Sequence, residues 1–127
     1  MIQKGREFII GRIKSIRFAL LGAWYLITTE HAFIVHSLFS LFLIFLGFFM
    51  NLTIHEWLFQ LLAIGLVLVS EALNTVIEKI ADFIHPNYHQ KIGIIKDLSA
   101  GAVFFATLIS FIILLVIYLP KFISLYL

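Results

Sequence analysis

The sequence contains no cysteine, and charged residues make up only 13% of its 127 positions. Without cysteine there is no disulfide framework, no thiolate nucleophile and no cysteine-ligated zinc or iron–sulfur site. Soluble domains carry about 25% charged residues, so the low charge content argues against a soluble monomer. A Walker A loop, a Gly-rich kinase loop and an HExxH motif are also absent, so any nucleotide or metal site is of another kind.

Apolar residues are what the chain has in excess. Hydrophobic residues account for 62% of the sequence, 14 of them are Phe, and the mean hydropathy is +1.09. This content excludes a disordered chain. The net charge of +2 is too small to indicate a nucleic-acid binder. We therefore predict one membrane-embedded domain over residues 1–127.

Three runs are long enough to cross a bilayer, which takes about 20 apolar residues at the rise of an α-helix. The predicted transmembrane helices lie at about 32–50, 57–84 and 99–119. The first and third runs carry no Asp, Glu, Lys or Arg. The second half of the second run differs, because it contains Glu71, Asn74, Glu78, Lys79 and Asp82.

The segment before the first span is basic and helical in pattern. Ile9, Ile13 and Ile16 follow the three- and four-residue spacing of a helix, with the basic residues beside this stripe. Residues 5–28 are therefore predicted to form an amphipathic helix in the membrane interface. The charges within it argue against a cleaved signal peptide.

Basic residues also set the predicted topology. Lys and Arg lie before the first span, around the second loop and, once, after the third span, while the 51–56 turn has neither. The positive-inside rule then places the N-terminus and the 83–97 loop in the cytoplasm and the C-terminus outside.

The polar residues of the second span share one helix face. At 100° per residue, Glu71, Asn74, Glu78 and Asp82 fall within an arc of about 80°. Intramembrane ionisable residues are costly and by default mark function. A hydrogen-bonded seam between helices needs only one or two of them. Closely spaced carboxylates call for a cation or a proton, which suggests phosphoryl transfer with a metal and a base, or an ion pathway.

A second polar patch follows in the 83–97 loop. It comprises the segment HPNYH at 85–89, then Lys91, Lys96 and Asp97. Lys96 can neutralise phosphate oxygens, and Asp97 can orient it or contact a purine amine. The alternative is an ordinary solvated, positive-inside loop.

The segment 71–82, EALNTVIEKIAD, resembles the signature of the prokaryotic diacylglycerol kinase family, E-x-[LIVM]-N-[ST]-x-[LIV]-E followed by an aspartate. KDLSAGAV at 96–103 is similar to the family's KD-x-x-AGAV. Glu30 and His36 in TEHAFIVH, and RIKSIRFALLG in the first helix, extend the resemblance over about residues 6–120. TEHxxxxH, the Glu56-Trp57 pair and the LPK at 119–121 look closer to the undecaprenol kinase branch.

This resemblance implies a homotrimeric helical bundle in the bacterial cytoplasmic membrane, with a surface helix and three spans per subunit. It implies that MgATP phosphorylates a lipid hydroxyl, either of diacylglycerol or of undecaprenol. No nucleic-acid partner is expected.

The resemblance also implies roles for single residues. Glu71 is the expected general base, with Asn74 beside it. Glu30 and Glu78 are expected to ligate the divalent ions on the ATP phosphates. The nucleotide contacts are expected from Glu30, Glu78, Asn87, Tyr88, His89, Lys96 and Asp97, and the lipid contacts from Arg12, Lys14, Phe18 and Glu71. The role of Asp82 stays open.

Two other functions are compatible with the residues alone. A small oligomeric channel or proton pathway could be lined by Glu71, Glu78 and Asp82. A channel predicts that this stripe faces a symmetry axis, whereas a kinase predicts a site that lipid can reach and that includes the Glu30 region. A structural assembly subunit would leave the acidic stripe unexplained.

Overall fold

The protein, described here by a computed structural model over residues 2–127, consists of α-helices joined by short connections. The helices are α1 (Ile2–Thr29), α2 (His31–Phe49), α3 (Ile54–Ile84) and α4 (Gln90–Tyr126). α2, α3 and α4 are each long and apolar enough to cross a membrane. α1 has no buried residue, as expected for a surface helix. The predicted all-α membrane fold is confirmed.

α4 is longer at both ends than the span predicted within it. It begins at Gln90, so Lys96 and Asp97 lie on a helix. The sequence pattern had placed them in a loop, and this prediction was wrong. It also continues through Pro120, where the predicted span ended. Proline is tolerated there because a helix near a membrane boundary can satisfy the freed carbonyl from neighbouring side chains or water.

The turn between α2 and α3 is built by a Schellman motif. Leu52 N–H donates to Gly47 O at 3.1 Å, and Asn51 N–H donates to Phe48 O at 3.3 Å. Asn51 has a φ of 51°, a left-handed conformation that asparagine tolerates well. A Cβ on Gly47 would lie only 2.7 Å from the Trp57 ring, so the turn packs tightly on the start of α3.

The same end of the bundle is closed by charged and capping residues. Thr53 and Glu56 form a reciprocal capping box at the start of α3. The Glu56 carboxylate also pairs with Lys121 Nζ at 3.1 Å, which joins α3 to α4 just beyond Pro120. A small apolar core of Leu43, Leu52, Ile117 and Tyr118 lies against this end.

A buried polar seam joins the three long helices. Gln60 is 0% exposed, and its Nε2 donates to Leu43 O at 2.9 Å. Tyr118 OH donates to Gln60 Oε1 at 2.5 Å, and Ser110 Oγ donates to Ala63 O at 3.0 Å. Lipid offers no partner for such groups, so these bonds fix which helix faces meet.

We expect Tyr118→Phe to destabilise the bundle. The change removes only the hydroxyl and leaves Gln60 Oε1 buried without its donor, which costs about 1 to 2 kcal/mol of unfolding free energy. The measurement is unfolding in mixed micelles, followed by circular dichroism. Tyr126→Phe is the matched control, because Tyr126 lies on the same helix and is 87% exposed. Equal unfolding midpoints for the two variants would contradict the seam's contribution.

Candidate active site

The polar stripe on α3 runs from a buried end to an exposed end. Glu71 and Asn74 are 6% and 9% exposed, whereas Glu78 and Asp82 are exposed to solvent or lipid. Glu78 lies about 10 Å along the axis from Glu71, and Asp82 lies about 6 Å further, next to the α3–α4 connection. The stripe therefore leads from that connection into the helix packing.

Glu71, at the buried end, faces α2. Its Oε2 lies 3.7 Å from Nε2 of His36. Sequence reasoning gave His36 no role of its own, because a lone histidine on an apolar helix is more often structural. The signal that could have found it is its place in the TEHAFIVH segment, together with the expected base.

Asn74 lies one turn along α3 and contacts the next carboxylate. Its Nδ2 donates to Glu78 Oε1 at 3.3 Å. Its Oδ1 is buried and, among the described residues, has no hydrogen-bond partner. Ser99 Oγ on α4 is in the same condition. An orphaned buried acceptor is costly, which makes this section of the stripe suited to a further polar group.

Glu30 lies between α1 and α2 and is brought to the stripe by an ion pair. Lys79 Nζ is 2.9 Å from Glu30 Oε1 and also lies 5.4 Å from the centre of the Tyr25 ring. This contact fixes the end of α1 against α3. Since Lys79 follows Glu78 directly, the two carboxylates expected to bind metal belong to neighbouring parts of the surface.

The donor set of Glu30 and Glu78 fits a hard divalent cation. Over residues 2–127, no group of three or more His, Cys, Asp or Glu side chains is gathered in metal-binding geometry. Mg²⁺ does not need such a cage, because it commonly takes one or two carboxylates and completes its shell with water and substrate phosphates. The Lys79 ammonium pairs with Glu30, so a cation bound by this carboxylate would take the place of that ammonium.

A polar cleft of about 240 Å³ lies at the exposed end of the stripe. It is lined by Asp82, His85, Pro86, Asn87, Tyr88, His89, Ile92, Gly93 and Lys96. Four of the expected nucleotide residues thus lie together, whereas Asp97 is exposed and outside this lining. Lys96 Nζ pairs with Asp82 Oδ1 across the cleft at 2.5 Å. Such a volume is below the roughly 300 Å³ at which pockets begin to enclose a whole ligand, so the cleft suits part of a nucleotide.

His89 both caps α4 and lines the cleft. Its Nδ1 accepts a hydrogen bond from Lys91 N–H at 3.1 Å. In a neutral imidazole the proton is then on Nε2, which leaves a donor for an anionic ligand.

Arg12, Lys14 and Phe18 are exposed on α1 and are not brought to the stripe within the described chain. The Arg12 guanidinium lies 5.0 Å from the centre of the Phe8 ring on its own helix. Tyr25, where α1 meets Lys79, is about 20 Å further along the helix axis than Arg12. A role for these three residues in one copy of the chain therefore needs lipid, or another copy, to reach them.

An apolar groove of about 390 Å³ runs along α2 and α4. Phe39, Phe42 and Leu46 line it from α2, and Phe111, Leu115 and Phe122 line it from α4. His36 lines one end of the same groove while its Nε2 faces Glu71. A hydrocarbon chain in this groove would have its end beside the buried carboxylate.

Comparison with known proteins gives a consistent set of matches. The family model described as prokaryotic diacylglycerol kinase matches residues 17–118. The undecaprenol kinase of Bacillus subtilis (strain 168) is 39% identical over 108 residues, which cover 85% of this chain and 88% of that protein. The diacylglycerol kinase of Synechocystis sp. is 30% identical over 112 residues, which cover 87% of this chain and 64% of that protein.

Proposed function

This chain belongs to the prokaryotic diacylglycerol kinase family, and we propose that it transfers the γ-phosphoryl group of MgATP to the hydroxyl of a membrane lipid. The observation that carries this proposal is the continuous polar stripe on α3. It joins a buried carboxylate, Glu71, to a cleft lined by Lys96. A lipid alcohol and a water-soluble phosphate donor can meet only where such a stripe connects the two environments.

Glu71 is the general base of this reaction. It accepts the proton of the lipid hydroxyl while the oxygen forms a bond to the γ-phosphorus, and the bond from that phosphorus to the bridging oxygen breaks, with ADP as leaving group. Asn74 holds the neighbouring carboxylate of Glu78 in place through its amide N–H. Positioning and charge neutralisation supply most of the catalysis in phosphoryl transfer.

Glu30 and Glu78 would hold Mg²⁺, which supplies charge neutralisation on the phosphate oxygens when bound. Glu78 is placed between Glu71 and the cleft along α3, so phosphates held there lie on the path to the base. On the cleft side, Asn87, Tyr88, His89 and Lys96 bind the nucleotide, with Lys96 as the phosphate cation. Asp97 lies on the next face of α4, where a neighbouring copy of the chain would complete its contacts.

The acceptor we propose is undecaprenol, with diacylglycerol as the second candidate. The relative with 39% identity is named an undecaprenol kinase, and the 30% relative a diacylglycerol kinase. The lining of the apolar groove from Thr107 to Phe122 corresponds to about 22 Å of helix, more than the roughly 15 Å depth of one leaflet. A long polyprenyl chain makes fuller use of that length than a single acyl chain.

We further propose that the protein acts as a homotrimer in the bacterial cytoplasmic membrane, with the cleft and the N-terminus in the cytoplasm and the C-terminus outside. The small volume of the cleft and the distance of Arg12, Lys14 and Phe18 from the stripe support a site shared between copies. A channel is less well supported, because α2 covers the deep end of the stripe, where His36 meets Glu71, and Glu30 is bound to the same surface.

The test uses labelled MgATP with the purified full chain in mixed micelles, and offers undecaprenol and diacylglycerol separately. We expect label on a lipid, with the higher kcat/KM for undecaprenol. A higher kcat/KM for diacylglycerol would reverse the acceptor assignment and leave the kinase intact. No label on either lipid from folded, oligomeric protein would contradict the kinase, and ion flux through reconstituted vesicles would then be measured.

A further inference from the structure

We infer that His36 is a positioning residue that orients the Glu71 carboxylate towards a lipid hydroxyl arriving from the apolar groove. The inference rests on the proposed function, because it takes Glu71 as the base. It concerns a side chain on a different helix from the acidic stripe.

The first observation is the contact itself. His36 Nε2 lies 3.7 Å from Glu71 Oε2, and the Glu71 side chain is 8% exposed. A buried carboxylate needs a partner that fixes its direction, since an unpaired one is strongly disfavoured. The separation is slightly longer than a direct hydrogen bond, as is common for catalytic groups before the reactants bind.

The second observation is the place of His36 in the groove. Its side chain is half-buried and lines the apolar groove, whereas Glu71 does not. A lipid hydrocarbon chain that lies in the groove therefore reaches Glu71 by way of His36. With one carboxylate oxygen oriented by the imidazole, the other is left to accept the hydroxyl proton.

The third observation is that His36 lies on a packed helix. Ser40 Oγ donates to the His36 carbonyl at 2.7 Å within α2. One turn before His36, Phe33 is buried, so α2 keeps the face that carries the imidazole against the bundle. The imidazole is thus presented by a packed helix and not by a loop, which suits a positioning role.

The experiment compares His36→Leu with His36→Gln. Leucine fills the site in its apolar surroundings but offers no donor, whereas the glutamine amide donates from a position close to that of Nε2. We expect His36→Leu to lower kcat roughly 10- to 100-fold, because misplacing a reacting group by about 1 Å has effects of that size. The KM for MgATP should stay within about twofold, since neither change touches the cleft. His36→Gln should recover most of kcat, because its amide restores a donor to the Glu71 carboxylate.

Matched controls are His55→Leu and His55→Gln, since His55 is exposed near the start of α3, at the far end of the bundle. Both should keep wild-type kcat. Circular dichroism and the oligomeric state of each variant in micelles confirm that the bundle is intact.

A second measurement separates this inference from the proposed function. In a Glu71→Gln background, His36→Leu should cause no further loss, because the carboxylate that it orients is already gone. If the losses of activity multiplied in the double variant, the positioning role would be overturned. Wild-type kcat in His36→Leu, or an equal fall of kcat in both His36 variants, would also overturn it. If Glu71→Gln is inactive and His36→Leu is fully active, only the positioning role of His36 is contradicted. If Glu71→Gln is fully active, the assignment of Glu71 as the base is contradicted.

Discussion

Glu71→Gln is expected to lower phosphoryl transfer to lipid by at least about 100-fold, the lower range for loss of a general base. The amide has nearly the shape of the carboxylate but cannot accept the hydroxyl proton. Because Glu71 is buried and lies about 16 Å along α3 from Asp82, binding of MgATP in the cleft should be unchanged. The measurement is steady-state transfer of label from MgATP, with nucleotide affinity determined separately by equilibrium binding.

The controls for this variant are the wild-type chain and Tyr126→Phe, both purified in the same micelles. Both should keep full activity, because Tyr126 is exposed at the end of α4. Near-normal turnover in Glu71→Gln would show that the base is a different group. Lost nucleotide binding would show that Glu71 supports the cleft and not the chemistry.

The second large effect is expected for Lys96→Met, which should lower kcat/KM for MgATP about 100-fold, as is typical for loss of a charge aimed at a transferring phosphoryl group. Methionine keeps most of the length of the side chain and removes the ammonium group, with its charge and its N–H donors. The Lys96–Asp82 pair is 37% and 59% exposed, and exposed pairs contribute at most about 1 kcal/mol, so the fold should persist. Initial rates against MgATP concentration measure the change.

Lys91→Met is the matched control for this variant. Lys91 is exposed in the first turn of α4 and does not line the cleft, so its loss should leave the rate within about twofold, as for an ordinary surface charge. Asp82→Asn removes the carboxylate that pairs with Lys96 and leaves the Lys96 ammonium free for phosphate. If Lys91→Met and Lys96→Met fell equally, the effect would be one of general charge near the membrane, and the specific role of Lys96 would be wrong.

Much of the fold follows from local properties of the sequence. The three spans are predicted because hydropathy and helix length are set by consecutive residues, which need no knowledge of their neighbours in space. The common face of Glu71, Asn74 and Asp82 follows from the helical repeat alone. The boundaries were less well predicted, since Pro120 and the first turns of α4 depend on capping by His89 and on contacts at the membrane boundary.

The candidate site was only partly predictable, because some of its contacts depend on how the helices pack. The HPNYH segment and Lys96 could be grouped by their closeness along the chain, and the structure gathers them around one cleft. Their roles in catalysis stay predictions, as do the metal-binding roles of Glu30 and Glu78. Asp82 lines the cleft and pairs with Lys96, a contact that depends on how α3 and α4 pack.

What the sequence determined by itself is therefore the set of spans, the polar face of α3 and the family to which the chain belongs. The tertiary structure decided which partner each charged side chain meets: His36 for Glu71, and Lys79 for Glu30. Periodicity fixes the direction of a side chain relative to its own helix axis. Contacts between helices depend in addition on register and rotation, which here are set by the packing at Gly47 and the buried bonds of Gln60.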